Sequence, residues 1–281
     1  MPPPSGGSVP TVDHVFLLVL ENHSFSNVIG SPHMPYLNSL ATEHSLATNY
    51  FANAHPSLPD YFMLSVGLPE TFDDNFSGMV TDDNVVRALS ASAKTWKAYI
   101  EDLPFPGYTG GDVSPRYLKH HNPFAYLSDV LNSSTQAANI VPFSQFSADL
   151  SAGMLPNFGF IIPNPENDAH TCPGAAPSCA DGDLLNATDQ WLKNNIDPVI
   201  NSPAFGNSVF IITWDESTQQ DIANGGGQVA TVLIGAHVKT GFRSTSFYQH
   251  QSTLRLILDL LSTADLPNTA AIAPSMAEFF Q

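Results

Sequence analysis

Apolar residues in this chain fall into short unbroken runs rather than alternating ones. Val15, Phe16, Leu17, Leu18, Val19 and Leu20 follow one another without a polar interruption and stop at Glu21 and Asn22. A run of that length with β-branched members predicts a strand buried on both faces, the condition of a parallel sheet. The pattern recurs at 157–162, 208–214 and 229–234, and less purely at 95–100. Between these runs the apolar period changes to that of helices. Leu37, Leu40 and Ala41 share one side of a helix predicted over 34–46, and further helices are predicted at 84–93, 124–131 and 146–154. Trp191 lies in an amphipathic helix at 184–196, and Leu254, Ile257, Leu258 and Leu261 form the core face of one at 251–261. Residues 47–54 are β-like and lead into His55-Pro56-Ser57-Leu58-Pro59-Asp60-Tyr61. Pro59 there is a helix-start signal, which puts Ser57 at or just before a helix N-terminus. Strands alternating with helices predict one α/β sandwich with a largely parallel sheet, without internal repeats.

Charge narrows the partners. The chain has 281 residues, a formal net charge of −17 and only nine Lys and Arg together. Nucleic acid and anionic membrane surfaces are therefore excluded as partners of the bulk surface. An anionic substrate would have to be met locally, by a cation, by some of the ten His residues, or by helix N-termini. No run is long and apolar enough to span a membrane. The first 11 residues read as a flexible stub of the kind left where a leader is removed. Cys172 and Cys179 bracket a Pro/Gly-containing loop. The simplest reading is a disulfide in an oxidising compartment; the rival is half of a metal site, for which no second pair exists. A secreted or periplasmic location follows from the first reading. Oligomeric state is not legible.

Two apolar runs end in acids, Glu21-Asn22 and Asp215-Glu216. In a parallel sheet both ends fall on one rim, where open α/β sheets bind ligands. Three carboxylates and an amide oxygen form a set suited to a divalent cation. The alternative is that each pair caps a following helix. Ser57 is a nucleophile candidate, since the helix N-terminus would stabilise an alkoxide; a plain Ser cap is the competing reading. His121-Asn122, Asp168, His170 and His250 are polar positions at predicted element ends that suit phosphate oxygens or a general acid. His55, beside Ser57, is a further candidate.

Several stretches together resemble a known family, the phosphoesterases that include bacterial acid phosphatases and non-specific phospholipases C. They are Glu21-Asn22-His23-Ser24-Phe25, His55-Pro56-Ser57-Leu58-Pro59-Asp60-Tyr61, His120-His121-Asn122-Pro123-Phe124, Pro163-Asn164-Pro165-Glu166-Asn167-Asp168-Ala169-His170, Ile212-Thr213-Trp214-Asp215-Glu216 and Tyr248-Gln249-His250-Gln251-Ser252-Thr253-Leu254-Arg255. They occur in the family's order. The resemblance implies a three-layer, alkaline-phosphatase-like sandwich with residues 12–281 as a single domain. It also implies one divalent metal ion held by Glu21, Asn22, Asp215 and Glu216. Oxygen donors favour Ca, Mg or Mn and leave Zn or Fe open. Ser57 would be the nucleophile that becomes phosphorylated, and His170 or His121 would protonate the leaving oxygen. Asn122, Asp168 and His250 would bind a small phosphate-ester substrate. Phospholipase C-like members carry an Asp-His pair after the Asp-Glu motif; here Ser217-Thr218-Gln219-Gln220-Asp221 follows. The expected activity is therefore an acid phosphatase of broad specificity, favoured below about pH 6.5 if a protonated His is needed. The alternatives are a phospholipase C or other phosphodiesterase, a sulfatase-like hydrolase, and a non-catalytic metal-stabilised secreted module.

Overall fold

Strand β1 (His14–Leu20) runs through the middle of an eight-stranded sheet. The computed structural model describes residues 8–281, so most of the expected stub at 1–11 lies outside the described residues. The other strands are β2 (Ser45–Ala47), β3 (Tyr50–Phe51), β4 (Trp96–Ile100), β5 (Ile140–Pro142), β6 (Phe158–Ile162), β7 (Ser208–Trp214), β8 (Thr231–Gly235), β9 (Arg243–Ser244) and β10 (Tyr248–Gln249). The sheet order is β5-β4-β6-β1-β7-β8-β2-β9, while β3 and β10 pair by themselves. From β5 to β7 every pairing is parallel, and β8 alone runs against its neighbours. This is the mostly parallel α/β sheet expected from continuous apolar runs, which suit strands covered on both faces.

Side-chain alternation along β1 assigns the two faces. Leu17 is in register with Phe160, whose ring packs 5.4 Å from Phe124 and 6.3 Å from Tyr61, on the helix Ser57–Ser65. Phe16 points the other way and meets Phe146, on the helix Ser144–Ala152, at 5.3 Å. Gly159, in register with Phe16, is needed there: a Cβ would sit 2.6 Å from the Phe16 ring. Phe143 joins that layer to the helix Asp181–Asn195 through Trp191, at 5.0 Å. Helices thus cover both faces, giving three layers around one continuous core.

The central strands bring the site together. Leu20 of β1 is in register with Trp214 of β7, so Glu21 and Asp215 emerge side by side. The Asp215 amide donates to the Leu20 carbonyl at 2.8 Å, and the Glu21 amide to the Asp168 carbonyl, also at 2.8 Å. The ends of β1 and β7, with the loop that follows β6, therefore deliver Glu21, Asp215 and Asp168 to one rim.

Two predicted helices are shorter than their pattern. The first spans Pro35–Glu43, because the backbone beyond His44 pairs with β8 and β9 instead. Residues 124–131 give a 3-10 turn, Pro123–Ala125, and a single helical turn, Ser128–Leu131. The Tyr126 carbonyl and Ser128 amide are taken by Val80, at 2.9 and 2.8 Å. Cys172 and Cys179 form a disulfide. Among the described residues no helix is long and apolar enough to cross a membrane.

Candidate active site

Glu21 is fully buried at the end of β1 and is the hub of the cluster. Its Oε2 accepts from the Ser57 hydroxyl at 3.1 Å and from the Asn22 side-chain amide at 2.9 Å. Its Oε1 accepts from the Tyr61 hydroxyl at 2.7 Å and lies 3.3 Å from His121 Nε2. Asn22 turns sharply, with φ of 59°, in the left-handed region that Asn tolerates better than most side chains. That turn aims its backbone N–H at Asp215 Oδ1, 3.0 Å away.

Ser57 is the first residue of its helix, with Pro56 before it and Pro59 in the first turn. The positive end of the helix dipole therefore falls on the hydroxyl. Asp60 and Tyr61, three and four residues on, lie on the same helical face as Ser57. Asp60 is buried; its Oδ1 accepts from the Asn53 amide at 2.7 Å and sits 3.4 Å from His250 Nε2. Tyr61 stacks on His121 with rings 12° from parallel and 5.4 Å apart.

On the other flank His121 is clamped between carboxylates, with Nδ1 3.4 Å from Asp168 Oδ2. Asp168 Oδ1 accepts from the His170 amide at 2.8 Å, which fixes the start of the disulfide loop. The His170 ring is exposed and lies edge-on to His121, 5.7 Å between centroids. Asn122 is buried, its amide donating to Tyr117 Oη at 3.1 Å. Glu216 Oε2 lies 2.7 Å from His55 Nδ1. His250 is fully buried: Nδ1 faces Tyr50 Oη at 3.0 Å and Nε2 faces the Asp215 carbonyl at 2.5 Å.

The structure thus gathers Glu21, Asn22, Ser57, His121, Asn122, Asp168 and Asp215 at one rim, with Glu216 and His55 beside them and His170 at the mouth. His250 stands behind Asp215, with both ring nitrogens engaged. Tyr61 and Asp60 were not among the residues singled out from the sequence. Their spacing from Ser57 on a predicted helix was the available signal.

Electrostatics asks for a cation here. Glu21, Asp60, Asp168, Asp215 and Glu216 are all buried, and among the described residues their ion-pair partners are only histidines. Burial, then Asp215 and Asp168, push the Glu21 carboxyl well above its usual range. Burial likewise raises Asp60, Asp168 and Asp215, and brings Glu216 to about 7. Burial and the neighbouring His120 and His170 push His121 well below the usual imidazole value, and burial holds His250 down to about 4. The buried atoms Asp60 Oδ2, Asn122 Oδ1 and Asp215 Oδ2 accept no hydrogen bond, and Asp168 Oδ2 and Glu216 Oε2 meet only a histidine each. Ionised, such carboxylates cost several kcal/mol unless a cation meets them. Glu21, Asn22, Asp215 and Glu216, the oxygen donors expected from the sequence, all stand at this rim, and hard oxygen donors suit a divalent ion. Glu21, His121 and His170 also offer ligand atoms within 4.8 Å of one another, a mixed N/O set.

A family model described as the Phosphoesterase family matches residues 31–262. A phosphatidylinositol-3-phosphatase of Mycobacterium tuberculosis is 31% identical over 274 residues, covering 95% of this chain and 84% of its own length. A probable acid phosphatase of Kluyveromyces lactis is 29% identical over 253 residues, 85% of this chain but 56% of its own length, so the chain spans just over half of that fungal relative. Among solved structures, a protein in the alkaline phosphatase superfamily from Vibrio parahaemolyticus superposes with a TM-score of 0.66 at 14% identity, over 92% of this chain and 69% of that one. That likeness speaks to the fold. With a family model spanning most of its length and the sheet, rim and strand-end acids in place, the chain belongs to the phosphoesterase family, on an alkaline-phosphatase-like fold.

Proposed function

We propose that this phosphoesterase-family enzyme hydrolyses phosphate monoesters through a phosphorylated Ser57, with a divalent cation on Glu21, Asn22, Asp215 and Glu216. The observation that carries the proposal is the Ser57 hydroxyl, buried at a helix N-terminus 3.1 Å from Glu21, among carboxylates that no Lys or Arg of the described residues neutralises. When bound, the cation would supply the charge that favours the alkoxide and screens the carboxylates from an anionic substrate. Glu21 and Asp215 flank the hydroxyl and orient it. Tyr61, kept protonated by burial and by Glu21, can only donate to Glu21, so it fixes that carboxylate's rotamer. The helix dipole at Ser57 favours both the alkoxide and the incoming phosphate.

The leaving oxygen needs a proton. His121 has carboxylates at both nitrogens and is buried, so it serves as a positioning residue. We assign the role of proton donor to His170, exposed at the mouth, which must be protonated to act. That places turnover on the acidic side of neutrality. A monoester is favoured over the diester because the relatives are named acid phosphatases and a phosphatidylinositol-3-phosphatase. The disulfide suits a secreted or periplasmic setting.

The test is the Ser57→Ala variant with p-nitrophenyl phosphate, beside mass analysis of acid-quenched wild type. A phosphoryl group on the Ser57 peptide and a loss of turnover of at least about a thousandfold are expected. Wild-type-like turnover by Ser57→Ala overturns the proposal.

A further inference from the structure

A groove of about 420 Å³ borders the segment that leads into Ser57 and the helix that follows, with Met63, Leu68, Phe72 and Ile272 among its walls and no charged side chain lining it. In a chain of net charge −17 such a neutral surface beside an acidic rim is a contrast in chemistry. Phe72 and Ile272 are left 66% and 85% exposed at its edge. Its volume is that of a small-molecule pocket, roughly 300–1,000 Å³.

The groove's wall belongs to the segments that carry the reaction site. Ala54, which lines it, directly precedes His55 and stands three residues before Ser57. Gln251, which also lines it, follows His250; its Oε1 accepts from the Asn53 side chain at 2.9 Å, and the Asn53 backbone binds Asp60. The loop bearing Phe72 is fastened to the Ser57 helix, because Asp74 Oδ1 accepts from the Leu58 amide at 3.0 Å. An ester substituent that leaves Ser57 on the side of Ala54 would therefore meet an apolar wall.

We propose that the groove is an alcohol-side subsite that takes an alkyl or aryl substituent of the phosphate ester, so that amphiphilic monoesters are preferred. This rests on the phosphate-ester reading above and adds a substrate class to it. With no ionic group on its walls, and with the Asn53 side chain bonded to Gln251 and the Thr269 hydroxyl to the Gly67 carbonyl, the groove would select mainly by apolar area. The occupant is a single substrate chain, because the surface is concave and the chain's net charge opposes an anionic bilayer.

The experiment measures kcat/KM for n-alkyl phosphates from ethyl to octyl below their micelle-forming concentrations. Alcohol acidity barely changes along that series, so the chemical step stays constant. The proteins are wild type, Phe72→Ser, Ile272→Ser, and Met154→Ser, which alters an exposed apolar residue just ahead of β6 at the opposite rim. Wild type is expected to gain about threefold per methylene until the groove is filled. The octyl-to-ethyl ratio should collapse in the two groove variants and persist in Met154→Ser. A flat series in wild type, or an unchanged ratio in both groove variants, overturns the subsite. A gain that appears only on adding phosphatidylcholine vesicles overturns it in favour of surface docking. Absence of turnover on every ester, p-nitrophenyl phosphate included, defeats the phosphate-ester reading itself.

Discussion

Removing divalent cations should make this protein's stability fall as pH rises, against the usual behaviour of carboxylates. Glu216 shows the magnitude. Its side chain is 1% exposed, and burial, offset only in part by His55, lifts its carboxyl from 4.5 to about 7. The folded state therefore holds a proton that the unfolded chain has released. A raised carboxyl contributes stability that is fully present below about pH 4 and is lost as pH climbs through 7. For Glu216 alone the loss by pH 8 is roughly 3 kcal/mol. Glu21, Asp60, Asp168 and Asp215 shift in the same direction and add to it. For a chain of this size roughly 2 °C of Tm accompanies each kcal/mol, so Glu216 accounts for about 6 °C. A cation binds the ionised carboxylates, so it competes with these protons and should add most stability at high pH. The assay is differential scanning calorimetry of chelated and Mg-, Mn- or Ca-supplemented protein at pH 5 and 8. The chelated Tm should drop between the two, the cation's gain should be larger at pH 8, and Glu216→Gln should flatten the chelated slope. A chelated Tm that is level from pH 5 to 8, or a cation gain equal at both, refutes the reasoning.

Three further outcomes can be checked separately. Tyr61→Phe removes the donor that holds Glu21 and should weaken cation binding by about tenfold in a metal titration, with the fold intact by circular dichroism. His170→Gln should slow phenyl phosphate by about a hundredfold or more while slowing p-nitrophenyl phosphate much less, since a good leaving group needs no proton; equal effects on both would remove His170 as the acid. Asp149 lies far along the sheet, where Lys97, Tyr99 and Gln145 all bind its carboxylate and hold it below the usual range against the opposing pull of burial. Its stabilisation is thus present at neutral pH and lost as acid protonates it, so Asp149→Asn should cost about 1–3 kcal/mol in urea unfolding at pH 7 and progressively less below pH 4.

The central half of the fold was legible because its signal is strong and local. An unbroken run such as Ile211-Ile212-Thr213-Trp214 fits only a strand covered on both faces, and β7 spans the predicted residues. The edges were not. Strand β5 has three residues, one of them Pro142, and β9 and β10 have two each, too few for any period to register. The helix over 34–46 ran too far because Leu46 continues its apolar spacing, while a long-range pairing with Val232 decides its conformation. The rim acids could be read because two strands end alike. Asp60 and Tyr61 could not be read from spacing alone: Leu58, Phe62 and Leu64 surround them, and only contact with Glu21 and His250 distinguishes a site residue from a buried polar one.

The same geometry explains why the acids sit at a rim rather than inside a layer. Between β1 and β7 the parallel register runs unbroken from His14 with Ser208 to Leu20 with Trp214, and side chains such as Leu18 and Ile212 bury without charge. One residue beyond, at Glu21 and Asp215, the ladder ends and the side chains converge instead of alternating between faces. Five buried carboxylates there oppose folding unless something positive meets them, and substituting them by amides should stabilise the cation-free protein. A cluster that weakens the bare fold has no structural reason to exist. Placed beside one hydroxyl at a helix N-terminus, it suits the catalytic role proposed above.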